Sequence, residues 1–328
     1  MRVSIRISFV FWTVFLLGGF IYVITSLLRF KQIFFEHAGI ALTPAQVAEA
    51  YADHTNQSRV QQVPKIVHQV FHNWNDPGND TVPDDWSDNR RNCMDLNPDF
   101  EFMLWTENKS RDFIEAEYPW FLRTYDGYRY KVQRVDAVRY FLLLHYGGIY
   151  MDLDNGCKTA LDPLLYYPVW VIDGGRGALS NNIIAAKPNH PFWAHITMSL
   201  MPYDWNYFFP YITISLASGQ WFETAVWEKY HSLLPAPSDN PEVEHRLYRL
   251  IMDDRPEADD WLFFTQERGG TWINWDNRMF LALGEHLFLF FSTLFGGLAL
   301  IFWCGTRCVR KYRSGGYSRL NSMPNRVV

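Results

Sequence analysis

Two aspartates one residue apart, Asp152 and Asp154, follow a short apolar stretch near the middle of the chain. Side chains alternate between the two faces of a strand, so Tyr150 and both carboxylates are expected to point the same way. Paired carboxylate oxygens suit a hard divalent cation, Mg²⁺ or Mn²⁺, that also binds a diphosphate. Ligands of α/β sheets lie beyond the carboxyl ends of the strands, which is where this pair would fall.

The segment before the aspartates makes the pattern more specific, because a D-x-D alone fits a solvated strand end just as well. Residues 133–146 predict a helix on which Asp136 and Arg139, three positions apart, share one face. Gly147-Gly148 ends the helix and permits a sharp turn into the strand. The succession of D-x-x-R, double glycine and D-x-D therefore predicts one site built from a helix and a strand end.

Strand-like and helix-like segments alternate around this motif, which predicts an α/β domain with a largely parallel sheet. Residues 75–88, rich in Pro, Gly, Asn and Asp, predict a loop, and residues 29–62 predict a stem with a helix from Pro44. The predicted strands are 65–71, 100–105, 149–154, 169–172 and 182–186. The predicted helices are 108–118, 133–146, 191–199 and 221–233.

Charge is unevenly distributed along the chain, although the net charge is only −5. Residues 1–31 hold four basic residues, residues 305–328 hold six, and neither end holds an acid. The remaining 20 basic and 35 acidic residues give the body a charge of about −15. An acidic body argues against a nucleic-acid-binding protein, which needs a basic surface.

Two uncharged apolar stretches, 7–28 and 287–306, predict transmembrane helices, the first as a signal anchor. The alternatives are a cleavable signal peptide for the first and a buried core helix for the second. The basic tail at 307–328 favours a cytoplasmic C-terminus, and two spans then place residues 1–6 in the cytoplasm as well. The part between the spans is expected to be lumenal and to comprise a stem (29–62) and a catalytic domain (63–286).

Three N-glycosylation sequons, at Asn56, Asn79 and Asn108, fall in the predicted lumenal part and support this topology. Cys93 and Cys157 fall there too, either as a disulfide or as two buried free thiols. The sequence leaves both possibilities for the cysteines open.

The central motif resembles that of a known enzyme family. Residues 136–154, DAVRYFLLLHYGGIYMDLD, are similar to the core of the family 32 glycosyltransferases with the GT-A fold, a group that includes fungal α-1,6-mannosyltransferases. PKIVHQVF at 64–71 resembles the family's opening strand, NNIIAAKPNHPF at 181–192 its next block and GGTW at 269–272 its closing block. The resemblance covers roughly residues 64–278 and implies an α/β, GT-A type nucleotide-sugar-binding domain.

The resemblance also implies roles for the central residues. Asp154 would bind the metal directly, and Asp152 would contact the donor ribose or the water shell of the metal. Asp136 and Arg139 would hold the hydroxyls of the transferred sugar. These four residues form the expected catalytic group.

Other positions are implied as donor or metal contacts. Phe71 would stack on the nucleotide base or pack in the core, and Tyr150 would line the pocket or be a packed aromatic. Asn182 and Trp272 are expected to contact the donor. Many relatives carry a His shortly before the closing block, whereas this chain has Glu267, as a third metal ligand or as a surface glutamate.

The resemblance implies a retaining mannosyltransferase that uses GDP-mannose with Mn²⁺ or Mg²⁺ in the Golgi membrane. Two spans and the run GGTWINWD at 269–276 favour the members of the family that act on a phosphoinositol sphingolipid in the lumenal leaflet, together with a membrane regulatory subunit. The alternatives are an α-1,6-mannosyltransferase acting on N-glycans and a non-catalytic membrane scaffold. The family's Thr-Gly-Pro block is present only as ASGQ at 217–220, which leaves that part of the site open.

Aromatic residues make up 17% of the chain and are concentrated at 203–211, where six of nine residues are Tyr, Trp or Phe. Tyr and Trp prefer the membrane–water boundary, so this segment predicts contact with the lumenal leaflet. A dense aromatic core is the alternative.

Overall fold

The structure, a computed structural model, describes the following residues: 14–15, 17–22, 24–26, 28, 31, 33–35, 37–53, 59–175, 177–235, 247–252, 262–266, 274–286, 292–293, 295–297 and 299–307. The chain divides into two compact units, Met1–Trp272 and Ile273–Val328. The sheet and the candidate site belong to the first unit.

The helices between residues 44 and 286 are Pro44–Ala52 (α1), Asp84–Leu96 (α2), Glu107–Glu117 (α3), Pro119–Gly127 (α4), Lys131–His145 (α5), Pro191–Tyr203 (α6), Pro210–Ala217 (α7), Gln220–Leu233 (α8) and, in the second unit, Trp275–Glu285 (α9). The strands are Ile40–Leu42 (β1), Ile66–Phe71 (β2), Glu101–Thr106 (β3), Gly148–Met151 (β4), Asn155–Cys157 (β5), Val169–Asp173 (β6), Ser180–Ala186 (β7), Tyr248–Ile251 (β8) and Phe264–Gln266 (β9). The predicted strands and helices are confirmed with shifted bounds.

One prediction, the loop over residues 75–88, is wrong from Asp84 onward. Asp84 and Asp85 form the first turn of α2 after Pro83, where acidic side chains interact favourably with the helix dipole. Pro and Asp residues are typical of loops, but here Pro83, Asp84 and Asp85 form the start of a helix.

Seven strands form one sheet in the order β1-β8-β6-β7-β4-β2-β3. β7 runs antiparallel to β6 and β4, whereas the other neighbouring pairs of this sheet are parallel. The prediction of a largely parallel sheet is confirmed, with one reversed strand. β1 comes from the segment predicted as a stem, so part of that segment belongs to the folded domain.

Successive residues of the central strands alternate between two apolar layers. In β4, Tyr150 belongs to one layer, whereas Ile149 and Met151 belong to the other. α5, α6 and α8 cover the first layer, and α1, α2 and a 3₁₀ turn cover the second. Cys93 of α2 and Cys157 of β5 lie in the second layer and form a disulfide, which resolves the alternative that the sequence left open.

Gly147 follows α5, and Gly148 is the first residue of β4. Both positions require glycine because other backbone segments pass very close to them. Gly147 and Gly148 have φ angles of 67° and 92°, a region that favours glycine. A Cβ at Gly147 would lie 2.8 Å from the Ala186 carbonyl oxygen, and one at Gly148 would lie 2.6 Å from the Ile66 carbonyl oxygen. These glycines therefore determine the backbone turn between α5 and β4, the strand that precedes the two aspartates.

Both predicted transmembrane spans, 7–28 and 287–306, lie partly outside the described residues, and their described residues are helical. Within the described part of the chain, no helix combines the length and the apolar character needed to cross a membrane. The structure does not support the two spans, and they remain predictions.

Candidate active site

A cleft of about 270 Å³ lies at the carboxyl ends of β2 and β4. Because β7 is antiparallel to β4, its first residues reach the same edge of the sheet. One face of α5 and the junction between α7 and α8 complete the wall. Of the expected site residues, the cleft brings together Phe71, Asp136, Arg139, Asp152, Asp154 and Asn182.

The two aspartates lie in a turn directly after β4 rather than within the strand. The Asp152 amide donates to the Asn182 carbonyl oxygen at 2.8 Å, and the Asn155 amide donates to the Asp152 carbonyl oxygen at 3.1 Å. These two bonds fix the turn against the start of β7. Burial, followed by the nearby charge of Asp152, raises the pKa of Asp154 to about 6.

Asp136 and Arg139 form a buried ion pair on α5, as their spacing predicts. Their carboxylate and guanidinium groups are 3.1 Å apart, and each residue is at most 5% exposed. Arg139 Nη1 lies 3.6 Å from Asp152 Oδ1 and donates to the Asn181 carbonyl oxygen at 2.6 Å. Arg139 therefore links the helix carboxylate to the first aspartate of the D-x-D turn.

Tyr150 contacts both Arg139 and Asp152 and so stabilises their arrangement. Its ring is fully buried, the Arg139 guanidinium lies 4.5 Å from the ring centroid, and its hydroxyl donates to Asp152 Oδ1 at 2.6 Å. Burial acts against the charge of Arg139, but Tyr150, Asp152 and Asp136 together raise its pKa. The packed-aromatic interpretation of Tyr150 is correct, with the addition that its hydroxyl orients a site carboxylate.

Asp136 has two further partners. The Ser218 hydroxyl donates to its Oδ2 at 3.0 Å, and the Asn181 amide donates to its Oδ1 at 3.3 Å. Burial raises the pKa of Asp136, whereas Arg139 and these hydrogen bonds oppose that rise. The ASGQ segment, whose role the sequence left open, thus contributes a residue in direct contact with the site.

The other end of the cleft is aromatic. Phe71 is buried and makes an edge contact with Trp86, at 6.3 Å between ring centroids, while it also lines the cleft with Trp74. His72 lies beside them and contacts Ser110 Oγ through Nε2 at 3.1 Å. Burial lowers the pKa of His72 to about 3, so the ring is neutral. Phe71 is thus a packed residue that also lines the cleft, and its stacking on a nucleotide base stays a prediction.

The donor set fits a hard divalent cation in its chemistry. Asp152 and Asp154 supply oxygen ligands at one end of the cleft, and a cation there would favour the ionised form of the Asp154 carboxyl, which burial disfavours. Across the described residues, no group of three His, Cys, Asp or Glu side chains is arranged to hold a metal ion. Glu267 and Trp272 lie outside the described residues.

The site also includes His72, Trp74 and Asn181, for which the sequence predicted no role, and Ser218, which lies in the ASGQ segment. His72 directly follows the opening strand, and Asn181 directly precedes the predicted donor contact Asn182, so sequence position offered a signal for both. Ser218 lies 82 positions from Asp136, and no local pattern joins the two.

Comparison with known proteins gives the site a context. The family model described as "Glycosyltransferase sugar-binding region containing DXD motif" matches residues 83–170, which include all four expected catalytic residues. The chain is similar to inositol phosphoceramide mannosyltransferase 2 of Schizosaccharomyces pombe, with 39% identity over 69% of this chain and 62% of that protein. It is also similar to inositol phosphoceramide mannosyltransferase 3 of the same yeast, with 36% identity over 76% of this chain and 67% of that protein.

The chain thus spans slightly less than two thirds of the first of these relatives. Among solved structures, it is similar to the PaToxG glycosyltransferase, with a TM-score of 0.40 and 16% identity over 58% of this chain and 78% of that chain.

Proposed function

The chain belongs to the family of DXD glycosyltransferases that includes the inositol phosphoceramide mannosyltransferases, and on this premise we propose that it transfers mannose from GDP-mannose to inositol phosphorylceramide. The product would be mannosyl-inositol-phosphorylceramide, a step in sphingolipid biosynthesis. The reaction would depend on a divalent cation, Mn²⁺ or Mg²⁺, and would retain the anomeric configuration of the sugar.

One observation carries this proposal: the connected set of Asp136, Arg139 and Asp152 in a cleft that also contains Asp154. Burying an ion pair is costly unless further hydrogen bonds satisfy it. Here the bonds come from Ser218 and Asn181, so the pair is held in one orientation towards the cleft. A scaffold protein would have no need of such an arrangement, which favours an enzyme.

Each charged group has a task in sugar transfer. Asp152 and Asp154 would hold the cation, which stabilises the charge that develops on the departing diphosphate. Asp136 and Arg139 would orient the sugar by binding its hydroxyls, and the Asp136 carboxylate would favour the positive charge of an oxocarbenium-like transition state. We assign no covalent nucleophile, so retention would follow from front-face displacement.

Glu267 remains our proposed third metal ligand. It follows Gln266 in the sequence, and Gln266 pairs with Asn155, the residue after Asp154. At the aromatic end of the cleft, Phe71 would contact the nucleotide base. Asn182, whose side-chain carbonyl accepts a bond from Ser180 at 2.7 Å, would contact the donor.

We place the catalytic unit in the lumen of the Golgi, with both termini in the cytoplasm and a membrane regulatory subunit as partner. The Cys93–Cys157 disulfide supports this location, because disulfides persist in oxidising compartments. The sequon residues Asn79 and Asn108 are exposed and therefore accessible to glycosylation.

A donor and acceptor panel tests the proposal. The full-length protein in phosphoinositol-ceramide vesicles, supplied with Mn²⁺, should transfer mannose from GDP-mannose in preference to sugars on UDP. Asp152→Ala combined with Asp154→Ala should abolish transfer while the protein is still expressed and localised. Asp95→Ala, at an exposed aspartate of α2, is the matched control and should retain activity. Transfer by the double variant at the wild-type rate would refute the metal role, and transfer to N-glycans alone would refute the acceptor.

A further inference from the structure

The loop between α6 and α7 displays two large aromatic side chains to solvent. Trp205 is 68% exposed and Phe208 is 79% exposed. Tyr207 of the same loop is 37% exposed, whereas Tyr203 turns inward and contacts the buried Phe222 with ring centroids 5.1 Å apart. Trp205 and Phe208 are therefore the two most exposed rings of the segment, whereas Tyr203 anchors the loop to the domain.

The loop holds these rings in a defined position. The Tyr207 amide donates to Thr213 Oγ1 of α7 at 3.0 Å, and the Phe208 amide donates to Asn206 Oδ1 at 3.1 Å. Phe208 has a φ angle of 73°, which is unfavourable for a residue with a side chain. Such strain is retained where the surrounding structure imposes it, often for a functional reason. The Phe208 ring makes an edge contact with Phe209, at 5.2 Å between ring centroids, but most of the ring is exposed. A glycine would adopt the same backbone conformation without strain.

The loop is also close to the candidate site. α7 follows it directly and has eight residues, a length of about 12 Å. Ile214 and Ser215, in the second half of α7, line the cleft, and Ser218 bonds Asp136. A molecule held by the loop is therefore about one short helix away from the catalytic carboxylates.

The chain that leaves the predicted first span meets the domain beside this loop. Phe34, six residues after that span, contacts Trp221 with ring centroids 5.4 Å apart, and Trp221 contacts Tyr211 at the same distance. The segment that would emerge from the bilayer and the aromatic loop thus share one side of the domain.

We propose that Trp205 and Phe208 insert into the interfacial layer of the lumenal leaflet and so hold the cleft at the height of the acceptor headgroup. Aromatic side chains are favoured in that layer. A ceramide-linked acceptor remains in the leaflet, so the enzyme has to approach the membrane surface. This inference rests on the proposed function for its acceptor, but bilayer contact can be measured independently of catalysis.

The first experiment measures that contact in the full-length protein reconstituted into phosphatidylcholine vesicles. In a Cys304→Ser, Cys308→Ser background, which leaves the disulfide intact, Phe208→Cys is labelled with an environment-sensitive fluorophore. Leu233→Cys is the matched control, because Leu233 is 68% exposed and lies at the far end of α8 from Trp221. The label at position 208 should emit at shorter wavelength and be quenched by brominated lipid, whereas the label at 233 should not. Equal quenching at both positions, or quenching at neither, would overturn the proposal.

The second experiment separates acceptor presentation from chemistry. Phe208→Gly relieves the φ strain while removing the ring, so its melting temperature should equal or exceed that of the wild type. Combined with Trp205→Ser, it should lower transfer to phosphoinositol ceramide in vesicles roughly ten-fold while donor hydrolysis stays near the wild-type rate. Leu233→Ser should change neither rate. Equal losses in transfer and hydrolysis, or none in transfer, would contradict the role of the loop.

The two experiments also distinguish this inference from the proposed function. If the wild type transfers no mannose to the lipid while position 208 is still quenched, the acceptor assignment fails and the bilayer contact stands. A second outcome is normal transfer while position 208 is not quenched in vesicles that contain no other protein. In that case the loop does not contact the bilayer, and the exposed rings bind a protein partner instead.

Discussion

Ser218 and Asp136 are 82 positions apart in the chain, yet the Ser218 hydroxyl donates a 3.0 Å hydrogen bond to the Asp136 carboxylate. Both residues are buried. The bond connects the turn between α7 and α8 to the helix that carries Arg139, and it satisfies part of a carboxylate that burial would otherwise destabilise.

Replacing Ser218 with alanine should therefore impair both the site and the fold. Loss of a hydrogen bond to a buried charged group costs about 1–3 kcal/mol, because the carboxylate loses a partner and gains none. We expect a lower free energy of unfolding and a lower kcat, measured by denaturant titration and by mannose transfer. Ser199→Ala is the control, since the Ser199 hydroxyl is buried but bonds the His195 carbonyl oxygen within its own helix, at 2.8 Å. A kcat loss of similar size in the control would argue against a specific role for Ser218.

The parts of the site that local sequence controls could be predicted. The i,i+3 spacing of Asp136 and Arg139 is a property of one helix, and the period of two in β4 separates Tyr150 from its neighbours. The double glycine is equally local, because the turn needs positive φ angles. These features require no knowledge of the rest of the fold.

Contacts between distant segments could not be predicted from the residues alone. Ser218 bonds Asp136 because α6 and α7 return the chain to α5, and that path is set by packing of the whole layer. The orientation of the aromatic segment was likewise undetermined, since composition is the same whether a ring is buried like Phe222 or exposed like Phe208. The pairing of Cys93 with Cys157 depends on the position of α2 against β5.

The disulfide leads to a prediction for the D-x-D turn. Cys157 is three residues after Asp154, and the bond joins it to Cys93 across 64 positions. In the chain-entropy account, a disulfide that closes a loop of that size stabilises the fold by about 4 kcal/mol, because it restricts the unfolded chain. Cys93→Ser combined with Cys157→Ser should lower the melting temperature and raise the Mn²⁺ concentration needed for half-maximal activity, because the turn is less constrained. Cys304→Ser, at an exposed free cysteine, should change neither value. An unaltered melting temperature in the double variant would show that the bond does not stabilise the domain.

The lumenal location predicts glycans at particular residues. Asn79 lies in an exposed loop before α2, and Asn108 lies at the exposed start of α3. Asn56 is outside the described residues. Protein made in a fungal host should lose mass on treatment with a glycan-removing amidase. The mass lost by the Asn79→Gln variant should be smaller by the mass of one glycan. Thr81→Ser, which preserves the sequon, is the control. A chain whose mass is unaffected by the amidase would contradict translocation of this domain.

Glu223 of α8 provides a prediction for the dependence of stability on pH. Its side chain is fully buried, and neither carboxylate oxygen has a hydrogen-bond partner among the described residues. Burial raises the pKa of Glu223 to about 8; Arg139 opposes this rise and Asp136 adds to it. The group is therefore protonated in the folded protein at neutral pH but ionised in the unfolded chain. Since the folded state binds the extra proton, stability should fall as the pH rises from about 4.5, the ordinary glutamate value, through about 8.

Glu223→Gln removes this dependence because glutamine stays neutral at every pH. The melting temperatures of the variant and the wild type should be similar near pH 4.5 and should diverge in favour of the variant towards pH 9. Each unit by which the pKa is raised corresponds to about 1.4 kcal/mol, so the divergence is well within the range of calorimetry. Glu117→Gln, at an exposed glutamate of α3, tests for the effect of removing a carboxyl group as such. Parallel curves for Glu223→Gln and the wild type from pH 4.5 to 9 would mean that Glu223 is ionised in the folded protein and has a cationic partner.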